Sequence, residues 1–312
     1  MTLSLEIRQR HRRQTLIRAK RMAALYVLLI LPAVFLFVFS YMPMYGVLIS
    51  FKDFKYTKGI MGSDWVGLKH YTRLVGDRMF WRSFGNTLRI SLTSIAVTFP
   101  MPIIFALLLN EIQHNKFKRV VQTISYLPHF LSAVIVCGFV RQLLSIDYGV
   151  FNYFRKMMGM QPIFFLGEKS MFDTILISTY VWQGTGWGSI LYLATLSNVN
   201  PELYEAASLD GANRFQKAIH VTLPTLTPVV TIQLILRMRS VISVGFDVVF
   251  NLYNTKVLPV ADVISTYTYR LGLEQQKFDY SSAIGLGQTI VGVILVLIVN
   301  AIARKVSEYA IF

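Results

Sequence analysis

Residues 200–224 read Asn-Pro-Glu-Leu-Tyr-Glu-Ala-Ala-Ser-Leu-Asp-Gly-Ala-Asn-Arg-Phe-Gln-Lys-Ala-Ile-His-Val-Thr-Leu-Pro. Asn200 is a good N-cap, because its side chain can accept from a free helical N–H, and Pro201 suits the first helical position. Asp210-Gly211 stops that helix, since glycine tolerates the left-handed backbone of a helix end. Pro224 then opens another apolar run. The stretch is amphipathic and mildly charged, yet it lies between two long apolar runs, and the one before it, 174–201, carries no charged side chain. A short helix so placed works at a membrane surface.

Composition agrees. The chain is 54% hydrophobic and only 15% charged. Like 174–201, residues 22–51 and 281–303 contain no Asp, Glu, Lys or Arg, and each is at least as long as the roughly 20 residues that cross a bilayer core. The fold class is therefore all-α, a polytopic membrane protein. The net charge of +15 does not point to nucleic acid, because no recognition module accompanies it and basic residues cluster beside spans. The single cysteine, Cys137, can form neither an intramolecular disulfide nor a metal site. The first apolar run is too long for the roughly 7–15 residues of a signal h-region, so it is expected to stay as an anchor.

In order, residues 1–21 form a basic arm with Arg8, Arg10, Arg12, Arg13, Arg18, Lys20 and Arg21. It either holds acidic lipid headgroups or keeps this end in the cytoplasm, and the second reading follows more directly from the positive-inside rule. Residues 22–312 form the membrane domain. Six spans are expected near 22–51, 84–110, 120–144, 173–198, 222–250 and 281–304, with Pro32 and Pro43 bending the first. The loop 52–83 is as rich in Lys and Arg as the arm, but spreads them more thinly. The turn with Lys116, Lys118 and Arg119 is short, basic and cytoplasmic on the same rule. Six spans place both termini and the loop 199–219 in the cytoplasm.

The spacing inside that loop is specific. Glu205-Ala206-Ala207, three residues, Gly211, nine residues, Val221-Thr222-Leu223-Pro224 resembles the EAA signature of binding-protein-dependent ABC importer permeases. Val221 stands where the family usually has Ile, and Asp210 and Ala212 fit its common form. The resemblance extends over nearly the whole chain. It implies the type I importer fold, in which this loop is a coupling helix docking in a groove of an ATPase subunit. Leu203, Tyr204, Glu205, Ala206, Ala207, Leu209, Asp210, Gly211, Ala212 and Pro224 are the residues it assigns to coupling. Tyr126-Leu-Pro-His-Phe130, Trp182-Gln-Gly-Thr-Gly-Trp-Gly188, Ala261-Asp-Val-Ile264 and Tyr269-Arg-Leu-Gly272 resemble the oligosaccharide and polysaccharide branch, which includes permeases for uronate-containing sugars such as alginate fragments. Independently, the helix begins with acidic Glu202 and Glu205, whereas helices resting on lipid are rich in Lys and Arg; a protein groove is the better dock.

A substrate path is expected to draw on Trp182, Gln183, Trp187, Tyr192, Arg237, Arg239 and Asp247. The aromatic residues, with Tyr180, either offer stacking faces to sugar rings or belong to an interfacial belt. Gly184-Thr-Gly-Trp-Gly188 fits no phosphate-binding fingerprint, and close helix packing explains it better. Arg237 and Arg239 lie near the middle of a span, where each charge costs on the order of 2.5–3.5 kcal/mol. Two residues apart, they point roughly 200° from each other, and Asp247 is too far along the axis to pair with either. One of them is thus expected to face a polar cavity or another subunit. Arg89 raises the same question in the second span.

No P-loop, clustered histidines or intramembrane carboxylate pair appears, so the chain is expected to be non-catalytic, with no cofactor of its own. The family resemblance implies ATP and Mg on partner chains. It also implies two ATPase subunits, a second homologous permease, an extracytoplasmic solute-binding protein, an oligosaccharide substrate and residence in the bacterial plasma membrane. A stand-alone secondary transporter or channel would leave the EAA-like stretch unexplained. A membrane-embedded transferase would need clustered acid–base residues at one face.

Overall fold

The computed structural model describes residues 22–238, 241 and 244–306. The basic arm and Arg239 lie outside the described residues. Helix dominates, and the strands among the described residues are a two-residue antiparallel pair, β1 (Lys52–Asp53) and β2 (Asp64–Trp65).

The first run starts as α1 (Ala23–Leu36), loosens into a π turn at Phe37–Tyr41 and tightens into a 3-10 helix at Met42–Phe51. The π turn lies between Pro32 and Pro43, and the 3-10 helix begins one residue before Pro43; the missing N–H groups of the two prolines interrupt the α ladder. After the β pair and α2 (Lys69–Gly76), α3 (Arg78–Thr98) runs into α4 (Pro100–Asn110). Then come α5 (Asn115–Tyr126), α6 (Ala133–Leu143), α7 (Val150–Met157) and α8 (Phe172–Leu196). The cytoplasmic stretch of the sequence reading becomes α9 (Pro201–Leu209) and α10 (Arg214–Lys217). Finally come α11 (Leu223–Met238), α12 (Phe246–Leu252), α13 (Leu258–Ala261), α14 (Ile264–Tyr269) and α15 (Phe278–Val306).

Among the described residues, four continuous helical runs are long and apolar enough to cross a bilayer: Val27–Phe51, Arg78–Asn110, Arg214–Arg237 and Phe278–Ile298. The 25 residues of α8 also exceed the core thickness, at about 37 Å against roughly 30 Å.

Two expected spans differ from the straight helices that apolarity suggested. The run near 120–144 is broken: Asn115–Phe130 and Ala133–Leu143 meet at 104°. Pro128 lies in a 3-10 turn, Leu127–Phe130, and Ser132 then caps a new helix by accepting from the N–H of Ile135. The run near 222–250 stops at Met238; Val244 and Gly245 are non-helical before α12 begins. Irregular backbone at membrane depth is tolerated where it is buried in protein or lines a water-filled cavity.

One core cluster joins α3, α6, α8 and α12 through Ile90, Cys137, Leu176, Val248 and Leu252. A second joins α4, α8 and α11 through Ala106, Leu109, Leu193 and Leu226. Helices come close enough here that a Cβ on Gly186 would lie 2.0 Å from the Ser125 carbonyl oxygen. Close packing is therefore what this glycine provides.

The segment after α12 is held by buried polar groups. The fully buried Asp262 side chain pairs with Arg270 at 2.5 Å and accepts from Ser83 and Thr266. Asn86 donates to the Pro259 and Asp262 carbonyls, and Arg89 bonds both Asp173 and the Val260 carbonyl. Arg89 is thus a tether between α3, α8 and this segment. Nearby, Asp77 caps α3 and accepts from the hydroxyls of Tyr267 and Tyr280, each at 2.6 Å. Burial alone would push the Asp77 carboxyl up. The two tyrosine hydroxyls and the amides of Phe80 and Met79 outweigh it and hold the group below its ordinary 3.8. A carboxylate with a depressed folded value stabilises the fold fully above its unfolded value, and this contribution fades as pH falls through the folded value. Thermal unfolding followed against pH should therefore show an acid-side loss beginning below about pH 4. The double change Tyr267→Phe and Tyr280→Phe should shrink that loss, because without the two hydroxyls burial lifts the folded value back towards or above the unfolded one.

Candidate functional site

The EAA-like stretch folds as its punctuation demands. The Asn200 side chain accepts from the Glu202 N–H at 3.1 Å, with Pro201 at the first position of α9. At the other end Gly211 has φ of +78°. This lets the Ala212 N–H reach back to the Ala207 carbonyl at 2.9 Å and the Gly211 N–H to Ser208 at 3.1 Å, closing the orphan carbonyls of the helix end. Asn213 and Gln216 then form a reciprocal capping box that starts α10. A π turn at Ala218–Thr222 leads into α11 and takes up the N–H that Pro224 lacks.

Two side-chain bonds brace this unit. The Tyr204 hydroxyl meets Thr222 Oγ1 at 3.1 Å, and Lys217 Nζ donates to Ser208 Oγ at 2.7 Å. Tyr204 and Ala207 are half-buried against the chain, whereas Leu203, Glu205, Ala206, Asp210, Gly211 and Pro224 are exposed. Leu209 is 90% exposed and Phe215, which sequence reading missed, 73%. Apolar side chains this open on a short capped helix form a surface that wants a cover.

The second constellation lies inside the helices. Two adjoining cavity lobes of about 320 and 420 Å³ share Thr98, Tyr180, Gly184 and Arg237. Trp187, Tyr192 and Gln233 line the first lobe; His129, Gln183 and Gly245 line the second. Arg237 donates to Thr98 Oγ1 at 3.1 Å. The His129 ring stacks on Trp187, 4.6 Å between centroids and 3° from parallel. Gln183 donates to the Leu131 carbonyl at 3.1 Å, satisfying the backbone where α5 and α6 break apart. The hydroxyls of Ser91, Ser94 and Thr185 line the cavity and have no hydrogen-bond partner among the described residues. Among the described residues, no carboxylate lines either lobe. The cavity is polar, cationic and floored by stacked rings.

Gln183, Trp187, Tyr192 and Arg237 are thus brought together. Trp182 is not: it lines a separate apolar groove between α6 and α8. Five residues along a helix turn the direction by about 140°, which parts it from Trp187. Asp247 is exposed on α12 and lines neither lobe. Missed in the sequence were His129, Gln233 and the hydroxyl row Ser91, Ser94 and Thr98. Its spacing, three then four residues, is a helical face that could have been read.

Comparison with known proteins follows these features. The family described as "Binding-protein-dependent transport system inner membrane component" matches residues 98–308. The polygalacturonan/rhamnogalacturonan transport system permease protein YteP of Bacillus subtilis is 39% identical over 301 residues, covering 96% of this chain and 94% of that protein. The trehalose/maltose transport system permease protein MalF of Thermococcus litoralis is 32% identical over 248 residues, 78% and 80% of the two chains. Among solved structures, a chain of a bacterial ABC transporter involved in import of the acidic polysaccharide alginate superposes with a TM-score of 0.86 at 37% identity. The match covers 93% of this chain and 98% of that one. The alginate transporter in complex with an alginate pentasaccharide-bound periplasmic protein gives 0.85 at 36% identity, covering 94% and 98%.

Proposed function

We propose, from the premise that the chain belongs to the binding-protein-dependent transport system inner membrane components, that it is the permease half of an ABC importer for acidic oligosaccharides. The observation that carries the substrate reading is the cavity itself. Among the described residues it combines Arg237, a stacked His129–Trp187 pair and three hydroxyls without partners, with no carboxylate in the lining. Sugar rings offer apolar faces for stacking and hydroxyls for hydrogen bonds, and a uronate adds the negative charge that an arginine recognises. The related permeases and the alginate transporter support the same class of cargo.

In this reading six spans leave both termini and α9 in the cytoplasm, and the solute-binding protein delivers cargo on the other side. A second permease completes the path, and each permease docks on one of two ATPase subunits. Leu203, Leu209 and Phe215 supply the apolar contact with the ATPase, and Gly211 fixes the end of the docked helix. ATP, with Mg, is held by the ATPase pair. Its closure carries α9 along, and α11 follows because Tyr204 and Lys217 brace the two. The substrate receives no chemistry. ATP can drive the cycle only through contacts that differ between the two conformations.

Reconstitution tests this. With partner permease, ATPase and binding protein in proteoliposomes, uptake of uronate oligosaccharides should require ATP and the binding protein. Ion-gradient-driven uptake by this chain alone would sink the reading in favour of a secondary transporter.

A further inference from the structure

Trp182 points to a second site. It lies at the inner end of a groove of about 920 Å³ whose walls come from α6, α7 and α8, with Phe139, Leu143, Phe151, Met171 and Thr174 among its lining. The groove is distinct from the cationic cavity and shares no residue with it. Its lining is almost wholly apolar, yet Phe139, Phe151 and Trp182 are each about half exposed. From Met171 to Trp182 it follows α8 for about 16 Å, close to half of the roughly 30 Å hydrocarbon core. A groove of that length matches one leaflet.

Its upper end is built by α7, whose polarity is inverted. Asn152 is buried and clamps the loop, donating to the Ser145 and Ile163 carbonyls and accepting from the Ile163 N–H. Val150, Tyr153, Phe154, Met157 and Met158 are exposed on the opposite side. A helix facing water would carry polar groups there; this one presents the surface of an interfacial helix. Three cations lie next to the groove's lining residues in sequence. Arg155 is one turn beyond Phe151, with Nε fixed on the Gln161 carbonyl at 3.0 Å, Lys156 follows, and Lys169 is two residues before Met171. Asp147, Glu168 and Asp173 are the nearby acids in sequence; Asp173 pairs with Arg89, and among the described residues none of these three cations is in an ion pair. The positive-inside rule accounts for basic residues on the cytoplasmic side and gives no reason for them at this end.

We propose that this groove binds one phospholipid of the outer leaflet, its acyl chain lying along Phe151, Phe139 and Trp182 and its phosphate held by Arg155 and Lys169. The inference rests on the orientation proposed above. Length selects an acyl chain, and charge complementarity selects a phosphate headgroup. A transmembrane helix of another subunit would use the apolar wall but leave the cations unanswered.

Native mass spectrometry of the assembled transporter, released from nanodiscs of phosphatidylglycerol and phosphatidylethanolamine, counts retained phospholipids. Ser178 is exposed and lines the groove, so Ser178→Trp fills it without disturbing the core and should lose one retained lipid. Arg155→Ala with Lys169→Ala should raise the lipid concentration for half-occupancy about 30-fold. Unchanged lipid counts in both variants would overturn the proposal. So would a cross-link from Ser178→Cys to the second permease, which would give the groove to a protein helix. Orientation is read separately by an impermeant thiol reagent on Tyr148→Cys, since the native Cys137 is buried. Labelling only from the cytoplasmic side would overturn the leaflet and the topology together, whereas lipid loss in Ser178→Trp would still establish the site.

Discussion

Gly211→Val is expected to leave the chain inserted and assembled while sugar uptake falls about tenfold against ATP hydrolysed. The φ of +78° at this residue is left-handed backbone, which costs an L-residue about 1–2 kcal/mol, more when the side chain is β-branched. Space is not the obstacle, because nothing lies within 4 Å of a Cβ built there. The penalty is purely conformational, and 1–2 kcal/mol shifts an equilibrium by about 5- to 30-fold. It falls on the turn that returns Ala212 to Ala207 and aims Asn213 at its capping box. Gly211→Asn should retain most of the uptake, since asparagine enters the left-handed region more easily. The measurement is ATPase rate and uptake in the same proteoliposomes. Equal uptake per ATP for the valine and asparagine variants would remove the coupling role from this turn.

The second large effect is expected from Arg237→Gln. A hydrogen bond to a charged group contributes about 1.5–3 kcal/mol, so transport of uronate oligosaccharides should drop by about 10- to 150-fold. Neutral oligosaccharides of the same length should change by less than about threefold, because glutamine can keep a bond to Thr98 of neutral strength. Arg237→Lys should recover part of the acidic transport through its charge, without the planar fork. The competing account is that Arg237 only fastens α11 to α3 through Thr98, the two being 3.1 Å apart. In that case acidic and neutral cargo would be lost equally, and lysine would restore neither selectively.

The residues that sequence reading placed well are governed by local rules. Asn200, Pro201, Asp210 and Gly211 act within a few residues of backbone, so their roles in α9 are visible without any neighbour. What escaped depends on partners distant in the chain. Gln183 was expected in the substrate path, but that it would bond the Leu131 carbonyl required knowing that α5 and α6 break there. Pro128 and Ser132 hinted at this break and were hidden by the uniform apolarity of 120–144. Trp182 and Trp187 looked alike in sequence and were parted by the packing of α8. Asp262 and Arg270 are eight positions apart in sequence, but their burial as a pair is set by Ser83 and Asn86 on α3. Asp247, expected in the substrate path, lies past the end of α11 on α12 and lines neither lobe.

The brace between Tyr204 and Thr222 has a mechanical consequence. Thr222 stands at the foot of α11, and Arg237 stands near its head, about 22 Å away along the helix. If α9 and the foot of α11 turn as one piece, a tilt of about 10° sweeps Arg237 sideways by about 4 Å over that length. A stroke of that size exceeds the tolerance of a hydrogen bond, so the Thr98 contact would break within the swing. The arginine would then be offered and withdrawn once per cycle. Its grip on an anionic sugar would be timed by the angle of α11 and not by any change in its own protonation.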